Sequence, residues 1–338
     1  MKSQVKNAQG CARVIDIEVN QEELKTTFDQ VYADIRKTAR VPGYRPGFAP
    51  RDLLESHYSG NAQEEVIKRA IPQYYIKAVE EQKLEPVSPP EIENIQYKNS
   101  QLSFCARVDI KPKPKLKAYK GLSIVRPKKE VTAAQIEETL EHLRQAHAQP
   151  DKNAKEQPPA PIELNDAFAQ TLGLKTLEEL KTAIKTNLES NARAEIQQEM
   201  EKQLLDELLK KATLDTPASL VERQAKEILE RLKMNYIMGG KSKEELGAQT
   251  KELEQAAQEE AARRVHLSFI LEEIGQREKI ELAQEDIDAH IAAIAQHSGR
   301  GVEDVKHYLE HHNLIPGMKD ELLTRKIIDF LLKEAKID

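Results

Sequence analysis

The sequence predicts an α+β N-terminal domain, an antiparallel sheet covered by helices, followed by an elongated all-α domain. Three observations carry this. Residues 11–19 and 101–111 alternate apolar and polar side chains with a period of two, the mark of half-buried strands. Beyond about residue 130 the apolar spacing is almost wholly helical. Charged residues make up 32% of the chain and aromatics only 4%, with no Trp, which favours long solvated helices over one thick core. At 338 residues, two domains are expected.

The elements follow in order. In the first strand Ile15, Ile17 and Val19 share one face, with Asp16 and Glu18 on the other. Asn20 with Glu23 has the spacing of a capping box, and Leu24, Phe28, Val31 and Ile35 then define a helix over 21–39. Pro50 is placed to open a short helix. A longer one spans about 62–83, and Pro72 inside it predicts a kink or a split. Leu102, Phe104, Ala106, Val108 and Ile110 form the cleanest strand, paired as a hairpin with one near 91–98. The run 111–122 reads as an extended exit, so the first domain is 1–117.

Residues 118–148 form a connector and a helix capped by Thr132 with Gln135. Residues 149–163 hold four prolines without apolar periodicity and read as a linker. The helical domain is 164–338. Thr176 with Glu179 opens a very long helix. Thr216-Pro217 starts one that ends at Gly239-Gly240, and Ser242 with Glu245 opens one running towards Ile274. Shorter helices near 284–297, 302–312 and 318–335 complete the chain.

Charge is uneven. Residues 1–120 carry 20 Lys and Arg against 16 Asp and Glu, a balance of +4, and the remainder carries −10. A nucleic-acid contact would therefore lie in the first domain. Cys11 and Cys105 give neither a disulfide framework nor metal-ligand spacing. The start, MKSQVKNAQG, lacks the apolar core of a secretory signal, and no apolar run reaches membrane-spanning length, so a cytoplasmic protein without membrane contact is expected.

The most informative stretch is 41–50, VPGYRPGFAP. Each Pro-Gly pair suits the centre of a type II turn, Pro presetting φ and Gly accepting the positive φ that follows. A stiff double turn results, displaying Tyr44, Arg45 and Phe48. From Arg36 to Arg51 there are five basic residues, Arg36, Lys37, Arg40, Arg45 and Arg51, and no acid. An Arg between two aromatic rings has the chemistry to grip RNA phosphate and to pack on a base or a protein surface. A plain connector between two helices is the competing reading.

Two other motifs read as structure. Gly239-Gly240-Lys241-Ser242 resembles the end of a P-loop, but Asn235 stands where that motif needs Gly, so a turn is expected and no nucleotide. Glu303, His307 and His311, with His312 beside them, make a helical column that reads as a solvated face; no metal or other cofactor is expected. By contrast, Met234, Tyr236, Ile237 and Met238 form a near-continuous apolar run just before the glycine turn. With Leu220, Ile228, Leu232 and Ile270 they are candidates for binding unfolded segments, Met adapting to many apolar partners.

The loop resembles the ribosome-docking signature of the trigger factor family, G-F-R-x-G-K-x-P. Gly43, Tyr44, Arg45, Gly47 and Pro50 fill its places, with Tyr44 for Phe, Phe48 for Lys and Pro46 at the variable position. Segments 164–188 and 264–332 are similar to that family's C-terminal helices. The resemblance implies a C-terminal domain with helical arms and an ATP-independent chaperone. It implies ribosome binding near the exit tunnel through Gly43, Tyr44, Arg45, Gly47 and Phe48, with Arg40 and Arg51 in support. rRNA and an exit-tunnel protein are the implied contacts, nascent or unfolded polypeptides the implied clients, and a weak homodimer an open possibility. Full-length relatives carry an inserted prolyl isomerase domain; here only the linker 149–163 occupies its place, so no enzymatic activity is expected. Two rival readings are a prolyl isomerase and a ribosome-independent, SurA-like holdase.

Overall fold

A computed structural model of the chain describes residues 1–147, 163–239 and 243–337. The expected linker 149–163 lies outside them apart from Glu163, as do Gly240, Lys241 and Ser242. The chain forms two compact units: Met1–Lys115 with Thr213–Glu273, and Leu116–Ala212 with Ile274–Asp338. The break near 115 lies close to the sequence boundary at 117, whereas the helical stretch 164–338 is shared between the units.

The first unit is built on a four-stranded antiparallel sheet: β1 (Lys2–Asn7), β2 (Ala12–Val19), β3 (Glu91–Lys98) and β4 (Gln101–Asp109), in the order β1-β2-β4-β3. Cross-strand pairs Ile15–Ala106, Ile17–Phe104 and Val19–Leu102 are all buried, so alternation in both strands falls on one face. That face is covered by α1 (Gln21–Thr38) and α2 (Arg51–Glu81). On α2 the residues Ala62, Val66, Ala70, Tyr74 and Ala78 recur every four positions and are buried, the alanines allowing close approach. The β3–β4 hairpin turns at Asn99 and Ser100, both with positive φ, as a two-residue type I′ turn requires.

The sequence gives no hint of β1. It is a polar, largely exposed edge strand whose Val5 is the single apolar residue. The kink expected at Pro72 is corrected by the structure. Pro72 lies inside α2 without non-helical backbone, and the irregularity falls at Tyr58 (φ −125°, ψ 17°), where the short and long helices meet. Pro72 is exposed, so its missing hydrogen bond leaves a carbonyl that water can serve.

Helices α6 (Ala218–Met238) and α7 (Lys243–Arg277) add a second layer to this unit, α7 as far as Glu273. Val221 and Ile228 pack on Ala257, Ala261, Val265 and Phe269. Pro217 is the N-cap of α6 and has no side-chain acceptor to offer. Asp109, at the end of β4, supplies it. Its carboxylate accepts from the Ser219 N–H (2.9 Å) and the Ser219 hydroxyl (2.6 Å). The Cys11 thiol also donates to the Asp215 carbonyl at 2.8 Å, and Lys111 pairs with Glu272.

The second unit contains α3 (Ala133–His147), α4 (Asp166–Thr171), α5 (Leu177–Lys211), the end of α7, α8 (Gln284–Ser298), α9 (Val302–His311) and α10 (Ile315–Glu334). One core joins Leu140 of α3, Phe168 and Ala169 of α4, and Leu180 and Ile184 of α5. Another joins α8, α9 and α10 through Ile287, Ile291, Val305 and Met318. The caps at Thr132 and Thr176 form: the Gln135 N–H donates to Thr132 Oγ1 (3.4 Å) and the Glu179 N–H to Thr176 Oγ1 (3.2 Å). The chain end closes this unit, Ser123–Ile124 pairing in parallel with Lys336–Ile337.

Candidate functional site

Residues 41–50 form two successive turns. The Tyr44 N–H donates to the Val41 carbonyl (3.1 Å) and the Phe48 N–H to the Arg45 carbonyl (3.0 Å). Gly43 and Gly47 have φ of +86° and +92°, the value a type II turn demands at its third residue. A further bond from the Gly47 N–H to the Arg36 carbonyl (2.9 Å) ties the second turn to the end of α1. Ala39, Val41 and Ala49 are buried at the flanks, fixing where the loop leaves and rejoins the core. Between these anchors Tyr44 is 44% and Phe48 70% exposed, and Arg45 is exposed between them. Proline, glycine, three hydrogen bonds and the buried flanks thus present a cation flanked by two aromatic rings.

The basic residues differ in availability. Among the described residues, the side chains of Arg36, Arg40 and Arg45 make no hydrogen bond or ion pair. Lys37 pairs with Asp34 at 2.8 Å, and Arg69 reaches the same carboxylate at 2.9 Å; both bonds hold the Asp34 carboxyl below its usual range. Arg51 is also committed. It bonds Glu55 (2.6 Å) and Asp29 and lies over the Tyr32 ring, 5.2 Å from its centroid. The two carboxylate bonds, Glu55 first, raise its pKa further. Arg51 therefore belongs to the α1–α2 contact rather than to the free basic surface, and the Glu55 partner four residues on was readable in the sequence.

Sequence reasoning missed Tyr58. Its ring packs against the sheet core, while its hydroxyl accepts from the Arg40 N–H and donates to the Arg40 carbonyl, each at 3.2 Å. One side chain therefore satisfies both backbone groups of the residue just before the double turn.

The apolar candidates separate into three groups. Met234 (59%), Ile237 (46%) and Met238 (79%) are exposed at the C-terminal end of α6, with Tyr236 half-buried beside them. Leu220 and Leu232 are half-buried against the α6–α7 core. Ile228 and Ile270 are core residues, 3% and 0% exposed, and the structure removes them from the accessible surface. Their apolar area is already spent on packing, so a client would have to open the core to reach them.

Gly239 ends α6 as its C-cap, as the turn reading of that segment expects. His307 and His311 have ring centroids 6.3 Å apart, and the His312 ring lies 4.4 Å from that of Tyr308, tilted by 49°. Among the described residues no group of three or more His, Cys, Asp or Glu side chains is arranged to hold a metal, and no helix is long and apolar enough to cross a membrane.

Comparison with known proteins gives these features a family. The model described as bacterial trigger factor protein matches residues 1–143, and that for the trigger factor C-terminus matches 176–333. A trigger factor of Halothermothrix orenii is 25% identical, covering 96% of this chain and 97% of its own. Those of Citrifermentans bemidjiense (25%; 100% and 98%) and Natranaerobius thermophilus (26%; 96% and 93%) are similar over the same extent. A solved structure from a study of promiscuous substrate recognition by the trigger factor chaperone shares the fold. It has a TM-score of 0.62 and 16% identity, covering 99% of this chain and 100% of that one. With both halves matched in order and relatives aligned end to end, the chain belongs to the trigger factor family and is a chaperone of that type.

Proposed function

We propose that the 41–50 loop docks this chaperone on the ribosome beside the exit tunnel, with Arg45 on rRNA phosphate and Tyr44 and Phe48 packed on an exit-tunnel protein. The observation that carries this is the double turn, which holds an unpaired Arg between two exposed aromatic side chains. Arg40 and Arg36 add positive potential behind it. The working compartment is the cytoplasm, where ribosomes are. Co-sedimentation with ribosomes at low and moderate salt tests the reading. Native chain should pellet in a salt-sensitive way and Arg45→Ala should not; equal pelleting of both would sink it.

In the same reading, emerging apolar segments are held by the end of α6, through Met234, Ile237 and Met238, without nucleotide. Weak self-association of the free chain is included, and sedimentation velocity over a concentration series tests it. The reading also excludes prolyl isomerase activity. The two family matches leave only 144–175 between them. The Halothermothrix orenii alignment runs over 419 positions against 338 residues here, so at least 81 positions face a gap. A proline-limited refolding assay decides: acceleration well above background would overturn this part.

A further inference from the structure

We propose that Tyr58 is the positioning residue of the docking loop, holding the backbone of Arg40 so that Arg45 is presented in one orientation. The inference rests on the docking role proposed for that loop. The two turns of the loop are tied to the rest of the domain in different ways. Each is closed by one hydrogen bond, and the Gly47 N–H to Arg36 carbonyl bond fixes the second turn. The first turn lacks such a tie. Between the end of α1 and Pro42, the Arg40 N–H and carbonyl bond neither helix nor strand, and their recorded partner is the Tyr58 hydroxyl, which serves both.

The placement of Tyr58 explains how it does so. Its ring is anchored against the sheet core. It stands four residues before Ala62, in line with the buried stripe, at the non-helical point of α2 where the short and long helices meet. Eighteen residues separate the hydroxyl from the backbone it clamps. The loop is thereby tied to α2 as well as to α1. A loop already held in its bound shape loses less entropy on docking, so the clamp contributes to affinity without touching the ribosome.

The test compares the full chain with Tyr58→Phe, Gly47→Ala and Arg45→Ala. Tyr58→Phe keeps the ring and removes both hydrogen bonds. Gly47→Ala adds a Cβ with nothing within 4 Å, so it disturbs the loop only through its positive φ. Ribosome affinity is measured along a salt series, with the melting temperature, suppression of client aggregation, and amide exchange at Arg40 and Tyr44. Tyr58→Phe should bind roughly three- to tenfold more weakly, as expected when a looser loop must be ordered on docking. Its salt slope should be unchanged, because Arg45 still meets its phosphate. Exchange should quicken in the loop alone, and melting and client holding should match the native chain. Gly47→Ala should weaken binding in the same way.

Native affinity in Tyr58→Phe while Arg45→Ala fails to bind would overturn the positioning role and leave docking intact. A loss of affinity accompanied by equal losses in melting temperature and client holding would also overturn it, showing a purely structural tyrosine. If Arg45→Ala binds as the native chain does, the docking reading fails and takes this inference with it.

Discussion

The 41–50 loop and the end of α6 expose similar apolar surface by opposite means. Phe48 is 70% and Met238 79% exposed. Phe48 sits in a turn fixed by proline, positive-φ glycine and a hydrogen bond to the end of α1. Met238 ends a helix on an unbranched, flexible side chain, next to another exposed Met and an exposed Ile. A stiff loop recognises one partner with little entropy loss, whereas flexible side chains accept many partners weakly. Rigidity and adaptability are separated along the chain, as the proposed division between docking and client holding requires.

Substitutions at each place test whether the two tasks are separate. The largest effect is expected from Arg45→Ala: at least tenfold weaker ribosome binding and a salt slope reduced by about one, with client holding unchanged. Coupled loss of both activities would end the separation. Next is the charged double variant Met234→Glu with Ile237→Glu. Desolvating two carboxylates should weaken client capture roughly three- to tenfold in an anisotropy titration with an unfolded peptide, and ribosome pelleting should not change. Phe48→Lys restores the charge of the family signature. It should steepen the salt dependence by about one unit, measured across 50–200 mM salt as a rough working range.

Asp109→Ala removes the cap at the base of α6, 110 residues away in sequence. It should cost about 1–3 kcal/mol in denaturant unfolding and leave the loop's affinity alone. The smallest effect is acid sensitivity of the sheet domain. Asp16 is held low first by the Cys105 thiol and then by Lys6, Glu23 by the N-terminal ammonium, and Asp34 by Lys37 and Arg69. Folded pKa values below the unfolded ones mean stability that is full above the ordinary carboxylate range. That stability is lost as pH falls through the folded values, below about 4. Stability rising on acidification across that window would contradict these pairings; circular dichroism melts between pH 2 and 6 as a rough span would show it.

What was legible in the sequence is what local chemistry decides. Pro-Gly pairs announced the turns, alternation announced β2 and β4, and Thr132 and Thr176 announced their helices. The Pro72 expectation failed because a proline on a wet helix face is tolerated where water serves the freed carbonyl. Tyr58 and Asp109 were invisible because their partners lie 18 and 110 residues away. A partial signal for Asp109 did exist: Pro217, unable to cap its own helix, had to find an acceptor elsewhere. Ile228 and Ile270 looked like client surface because helical spacing reveals a buried stripe without saying what buries it.

The Asp109–Ser219 contact also bears on how this protein is made. The sheet domain acquires its own core once α2 and β4 have been synthesised. Asp109 and Cys11 must then wait for residues 215–219. At the usual pace of translation, 110 further residues take roughly 5 to 20 s. During that interval the surface due to receive α6 and α7 is uncovered on a half-made chain at the tunnel mouth. A completed copy docked on the same ribosome would meet an unfinished one as its client, so this chaperone's synthesis falls within the task it performs.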